Sequence, residues 1–389
     1  MDPLDASTLF LPGILGSTLR SPQGELRWLA PADVALGRLP ARLGLDTAPD
    51  LYADGVLDVA YGAWVTALRA GGPVATVPYD WRRSIDAAAV DLAGVVRAAR
   101  RPLLRLVAHS MGCLVALVAA ARFPETFARV DRAVLVAPPL GGSFAAVQAL
   151  LGGGPVIDSL SLGLRDPAPL QRMVAGFPGL LQLLPDPAVF GAGAALDLAS
   201  PWPAAVGAPR FDSAGLARLR ADWRRSPLWS RAHLLLGTTT CTAGPLSGRE
   251  NSPLRLLDVD EGGLPGDGTV PAASAWPGAG SPARRGDWQV CSLHFLQPVD
   301  PTVWAASLRL LRADECGLAR FTGEDAAGLP TGPEAEPADT CPVESRRSLG
   351  QQLDLARRWR AGEARAEDWA LLHGTLPPAG GGAAATPVA

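Results

Sequence analysis

Lysine is missing from this chain of 389 residues, and every one of its 35 basic positions is arginine. Alongside abundant Ala, Gly and Pro, that absence reads as coding bias rather than as a functional signal. Formal net charge is −3, so no overall basic field draws the chain to nucleic acid. Cysteine is scarce: Cys113, Cys241, Cys291, Cys316 and Cys341 are scattered, and none forms a Cys-Xaa-Xaa-Cys pair. That spacing excludes a zinc knuckle, and no metal site is expected. Reduced thiols are the default expectation, with a Cys316–Cys341 pair if the chain is exported. No apolar run reaches the roughly 18 residues of a membrane span without a His, Ser, Gly or Pro. The N-terminus, Met1-Asp2-Pro3-Leu4-Asp5, lacks the basic region of a signal peptide. A cytoplasmic protein, peripheral to a membrane at most, is the expectation. A glycine-rich phosphate loop and a metal-ligating His pair are also missing. Asp258-Val259-Asp260-Glu261-Gly262 opens like a calcium loop but lacks the third acidic position and the closing Glu. No cofactor is expected.

What the chain does have is a sharp turn between a strand and a helix. Leu104-Arg105-Leu106-Val107-Ala108-His109 reads as an apolar strand running into Ser110, and a helix starts at Met111. Ala108 and Gly112 stand two residues before and two after the serine. Bulk at either position would collide in so tight a turn. The turn lifts the serine hydroxyl above the sheet at a helix N-terminus.

In chain order, Ser7 to Leu11 reads as a buried strand closed by Pro12-Gly13, with Gly13 and Gly16 allowing a tight loop of exposed backbone N–H groups. Residues 21 to 55 are punctuated by Pro, Gly and Asp and read as irregular structure with short helices. Further strands are expected at Pro73–Pro78, Leu103–Val107, Ala133–Val136, His233–Gly237 and Trp288–Leu293. Helices are expected at Ala63–Ala70, Asp86–Arg101, Met111–Arg122 and Pro301–Ala313. Strand and helix alternating at this spacing predicts an α/β fold: a mostly parallel central sheet flanked by helices. The expected organisation is a core's first part over 1–143, with a lid-like segment at about 21–60. An inserted, mainly helical cap follows over 144–230, and the core's second part spans 231–320. A linker over 321–344, a small helical extension over 345–374 and a disordered tail over 375–389 complete it. No internal repeat is found.

A nucleophilic serine needs a base to take its proton and an acid to orient that base. The sequence has four histidines. His109 adjoins the serine and should point away from its hydroxyl, His233 starts a strand, and His373 lies in the extension. His294, at the end of an expected strand, remains. Asp267, between Gly266 and Gly268 in a loop after a strand, is the acid candidate. Ser110, Asp267 and His294 follow the chain order of α/β-hydrolase triads. The backbone N–H groups of Met111 and Ile14 are the candidate oxyanion donors.

With those residues placed, the chain resembles the lecithin:cholesterol acyltransferase family, which includes lysosomal phospholipase A2 and phospholipid:diacylglycerol acyltransferases. The strings that carry the resemblance are Leu11-Pro12-Gly13-Ile14-Leu15-Gly16-Ser17, Pro78-Tyr79-Asp80-Trp81-Arg82, Ala108-His109-Ser110-Met111-Gly112, Pro139-Leu140-Gly141-Gly142-Ser143, Phe177-Pro178 through Leu184-Pro185, and Gly266-Asp267-Gly268-Thr269-Val270-Pro271 with His294. They run in the family's order from about Thr8 to Ala313. The resemblance implies an α/β-hydrolase with a cap that moves an acyl chain from a lipid ester, through an acyl-Ser110 enzyme, to water or an alcohol. Asp80 and Trp81 are implied to support the site, as are Gly13, Ala108 and Gly112 at its turns. The disulfide-closed lid of animal members has no counterpart, since no Cys precedes Cys113. A soluble carboxylesterase or triacylglycerol lipase on the same scaffold is the alternative, and a partner-regulated, non-catalytic module is a third reading. A lipid ester, a membrane surface and, through the C-terminal extension, a protein are the expected partners.

Overall fold

The computed structural model describes residues 3–153, 157, 160, 166, 168–190, 212–238, 240–242, 264–278 and 282–327. Its strands are β1 (Thr8–Leu11), β2 (Ser17–Arg20), β3 (Leu26–Trp28), β4 (Tyr52–Val56), β5 (Val74–Thr76), β6 (Leu104–His109), β7 (Val130–Val136), β8 (Ala232–Gly237), β9 (Thr240–Thr242), β10 (Leu264–Gly266) and β11 (Gly286–Val290). Six of them form one sheet in the order β11-β8-β7-β6-β1-β5, and every pair in it is parallel. This is the expected α/β architecture.

The sheet is apolar on both faces, as an all-parallel sheet must be. Alternation along β1 sends Leu9 and Leu11 into one core and Phe10 into the other. The first core packs around the helix Met111–Arg122, whose residues from Met111 through Ala120 are all buried. A helix with no polar face belongs in the middle of a protein. Helices Ile85–Ala98 and Ser213–Arg224 flank it. Ser84 caps the former by accepting from Ala87 N–H, and Asp212 caps the latter by accepting from Gly215 N–H. Arg122, at the end of the buried helix, bridges Asp86 and Asp222 and so ties the three together. On the opposite face, helices Asp58–Arg69 and Pro301–Leu310 pack over Phe10, Val107 and Val136.

Three expectations need correction. Residues 21 to 55, read as irregular, contribute to an antiparallel sheet in the order β3-β2-β4, with short helices at Pro31–Ala35 and Leu39–Leu43. The strands are short and carry little alternation, so their pattern is masked. The last strand ends at Val290, and His294 lies in the turn beyond it. The default of reduced thiols fails at Cys291, which is disulfide-bonded, while Cys113 and Cys316 are free and buried, so the conditional Cys316–Cys341 pair is not made.

Between β7 and β8 the described chain is helical, at Phe144–Leu150, Ala168–Ala175, Pro178–Leu181, Pro187–Phe190 and Ser213–Arg224. Residues 321–327, where a linker was expected to begin, hold a short helix, Gly323–Ala327, and buried Phe321 against the Trp276 ring. The calcium-like loop at 258–262 and the expected extension and tail lie outside the described residues. No helix among the described residues is long and apolar enough to cross a membrane.

Candidate active site

Ser110 is one residue beyond β6 and directly before the buried helix, with φ 52° and ψ −126°. That backbone region is sparsely populated for any residue with a Cβ, and holding it costs about 1–3 kcal/mol. The surrounding turn enforces it: Ser110 N–H donates to Val136 O at 2.8 Å, and Cys113 N–H to Ser110 O at 2.9 Å. The small flanking residues have visible reasons. A Cβ at Gly112 would collide with the Pro12 carbonyl oxygen and lie 3.0 Å from that of Leu11. Ala108 is fully buried in the sheet, with its carbonyl accepting from Cys113 Sγ.

Asp267, His294 and Ser110 meet above the carboxyl ends of the strands. His294 Nδ1 is 2.8 Å from Asp267 Oδ2, and His294 Nε2 is 2.9 Å from Ser110 Oγ. An ionised carboxylate only accepts, so Nδ1 carries the ring hydrogen and Nε2 faces the hydroxyl with a lone pair. Asp267 is oriented from both sides. Its Oδ1 accepts from Thr269 and Val270 N–H, and its Oδ2 also accepts from Gln297 Nε2 at 3.2 Å. His294 N–H donates back to Asp267 O, which locks the two turns together. Ser110, Asp267 and His294 are all at most 7% exposed, so the arrangement is covered.

The first loop lies against the serine. A Cβ at Gly13 would stand 3.0 Å from Ser110 Cβ. Gly13 N–H donates to Tyr61 Oη, and Leu15 turns the loop at φ 63°. Met111 is the first helical residue, so its N–H has no intrahelical acceptor. The candidate donors Ile14 and Met111 thus belong to two backbone turns that touch at Gly13 and Ser110.

Asp80 and Trp81 sit one layer out. Tyr79 Oη donates to Pro12 O, Tyr79 N–H to Ser17 Oγ, and Trp81 Nε1 to Ser17 O. These bonds pin both ends of the first loop. Arg82 is fully buried, grips both Asp80 oxygens and donates to the carbonyls of Leu43 and Ala48. Pro139 through Ser143 does similar work on the far side. Gly141 N–H donates to Ser274 O, Ser143 N–H to Leu183 O, and Ser143 Oγ to Thr269 O beside the acid.

Two buried residues here escape the sequence. Gln297 follows His294 by one helical turn, and that spacing is its only signal. Tyr61 lies in the helix Asp58–Arg69, which starts five residues earlier than its apolar pattern suggests. His109, set aside on sequence, has its Nδ1 3.0 Å from Tyr61 Oη and its ring 4.9 Å from that of His294. Burial, and then the charge of His294, hold its pKa well below the ordinary histidine value.

Comparison with known proteins follows this geometry. A family model described as serine hydrolase matches residues 79–171, which carry the turn at Ser110. No curated protein sequence matches the chain. Among solved structures, that of a Tle4–Tli4 complex superposes with a TM-score of 0.60 at 15% identity, over 80% of this chain and 99% of that one. Phospholipase PlaB from Legionella pneumophila matches with a TM-score of 0.42 at 13% identity, over 90% of this chain and 63% of that one. Sheet order, the turn at Ser110 and the superposition give the chain the α/β-hydrolase fold.

Proposed function

We propose that this protein is a serine-dependent lipid ester hydrolase that can also pass its acyl group to an alcohol. The observation that carries the reading is the chain of contacts Asp267–His294–Ser110 at 2.8 and 2.9 Å, ending on a serine at φ 52°. Ser110 Oγ attacks the ester carbonyl while His294 Nε2 takes its proton. Asp267 holds the imidazole in register and stabilises the imidazolium. The N–H groups of Met111 and Ile14 receive the developing oxyanion, a contribution of about 3–4 kcal/mol per donor in comparable sites. The tetrahedral intermediate collapses to an acyl-Ser110 enzyme, and the proton on His294 leaves with the alcohol. Water or a second alcohol then attacks by the reverse sequence. The chemistry calls on no cofactor.

The lipid assignment draws on the apolar make-up of the segment proposed as the cap. Phe144, Val147, Leu150, Met173 and Leu181, from the segment proposed as the cap, are buried. The resemblance of Pro78–Arg82 and the acid loop to the lecithin:cholesterol acyltransferase family favours transfer as well as hydrolysis.

A fluorophosphonate probe is expected to label the protein at Ser110 and not to label Ser110→Ala. The same substitution should lower turnover by at least about 10³-fold. Mass spectrometry of products from mixed phospholipid and neutral-lipid vesicles, with and without added alcohol, separates hydrolysis from transfer. Exclusive activity on short water-soluble esters would remove the lipid assignment. Retained activity in Ser110→Ala would remove the mechanism.

A further inference from the structure

Two buried polar side chains beside the reacting residues have no part in the chemistry above. Tyr61 Oη is 3.0 Å from Gly13 N and 3.0 Å from His109 Nδ1. A backbone N–H can only donate, so Oη accepts from Gly13. The hydroxyl proton then needs an acceptor, and the bare Nδ1 of a neutral imidazole is one. Burial keeps both partners in the required forms. It raises the Tyr61 pKa, so the phenol stays protonated, and it lowers that of His109, so the ring stays neutral. On that pairing the hydrogen of His109 falls to Nε2, which is buried and makes no hydrogen bond of its own. The ring so fixed lies 4.9 Å from that of His294, tilted by 38°, and is backed edge-on by Trp64.

We infer that Tyr61 and His109 are a positioning pair, which joins the first loop to the imidazole that the base ring packs against. The inference rests on the triad reading above. Tyr61 engages the Gly13 N–H, which removes it from the loop donors and leaves the candidate Ile14 N–H for an oxyanion. The same hydroxyl fixes the His109 tautomer, and burial keeps the ring uncharged. His294 thus gains its proton beside a neutral neighbour rather than a second imidazolium. One phenol sets both the oxyanion loop and the face of the base, without touching a reacting atom.

Three measurements on the full chain test this. In a histidine-¹⁵N NMR spectrum near neutral pH, with the His109 signal assigned by its loss in His109→Asn, Nε2 should be protonated and Nδ1 bare. The opposite tautomer or a charged ring overturns the pair. Tyr61→Phe should lower kcat by about tenfold or more through misplacement alone, with KM held within about threefold. His109→Asn puts its amide oxygen where Nδ1 was and should recover most of kcat. His109→Gln puts its amide near Nε2 and should not. A Tyr61→Phe enzyme within about twofold of the parent kcat, or Asn and Gln variants that behave alike, would reduce the pair to core filling. If Tyr61→Phe fails to fold, the tautomer and the Asn–Gln comparison decide. Ser110→Ala runs alongside. Should it retain turnover, the triad reading fails. Should it be inactive while Tyr61→Phe is indifferent, only the positioning pair fails.

Discussion

Asp267 is the residue whose neighbours make the most definite demand. It receives two backbone N–H groups on one oxygen, and His294 and Gln297 on the other. Asp267→Asn keeps the shape but offers an amide to a ring that must carry its hydrogen on Nδ1. The wrong tautomer follows, and kcat is expected to fall by about 10⁴-fold with the fold intact by circular dichroism. His233 gives a prediction of a different kind. It is fully buried, and desolvation lowers its pKa to about 4 despite the opposing pull of Asp314. The folded value lies below the unfolded one, so the unfolded chain takes up the proton first. Stability is then full above about pH 6.5 and is lost as pH falls toward 4, by roughly 3 kcal/mol in all. Urea midpoints at neutral and acid pH should show this slope, and His233→Gln should flatten it. Ser110, Asp267 and His294 could be singled out by sequence because each type is scarce or sits in a distinctive turn. Tyr61 and Gln297 could not. A tyrosine on a helix and a glutamine in a turn acquire meaning only from what lies opposite them.

Several segments are held by their neighbours rather than by their own pattern. The six parallel strands and the helix after Ser110 were legible because runs such as Leu104–Val107 are apolar throughout and the helix has no polar face. The β3-β2-β4 sheet was not, since strands of three to five residues among Pro, Gly and Asp carry no period. What holds this segment includes Arg82, which donates to the carbonyls of Leu43 and Ala48 from a fully buried position. Arg82→Met leaves the Asp80 carboxylate only Arg83 and one backbone N–H, and strands the carbonyls of Leu43 and Ala48. A loss of about 3–5 kcal/mol is expected, read as a lower urea midpoint, with faster proteolysis near residues 43–49. Gly112 is held in a similar way. Its close approach to the Pro12 carbonyl leaves no room for a methyl group. Gly112→Ala should cost about 1–3 kcal/mol in overpacking and displace the first loop, so fluorophosphonate labelling should slow more than the melting point falls.

The molecule as a whole joins a sheet whose strands the sequence announces to flanking segments of which it announces the extent but not the internal contacts. Cys291 is disulfide-bonded and directly follows the last strand, three residues before His294. Reduction should therefore lower both thermal stability, by about 2–4 kcal/mol for a disulfide of ordinary worth, and activity. Melting curves with and without a phosphine reductant check this, and Cys291→Ser should match the reduced protein. The segment from Tyr79 to Asp86 has a wider reach. It bonds to the first loop at Pro12 and Ser17, to the chain at Leu43 and Ala48, and to Gly179 and Gln182 beyond β7. A Cβ at Gly179 would run into the carbonyls of Trp81 and Arg83. These pieces are interlocking parts, not interchangeable modules. A chimera that imports residues 144–230 from a related protein would have to import its counterpart of Tyr79–Asp86 as well. Recombination breakpoints that separate the two would leave each half fitted to a partner it no longer has.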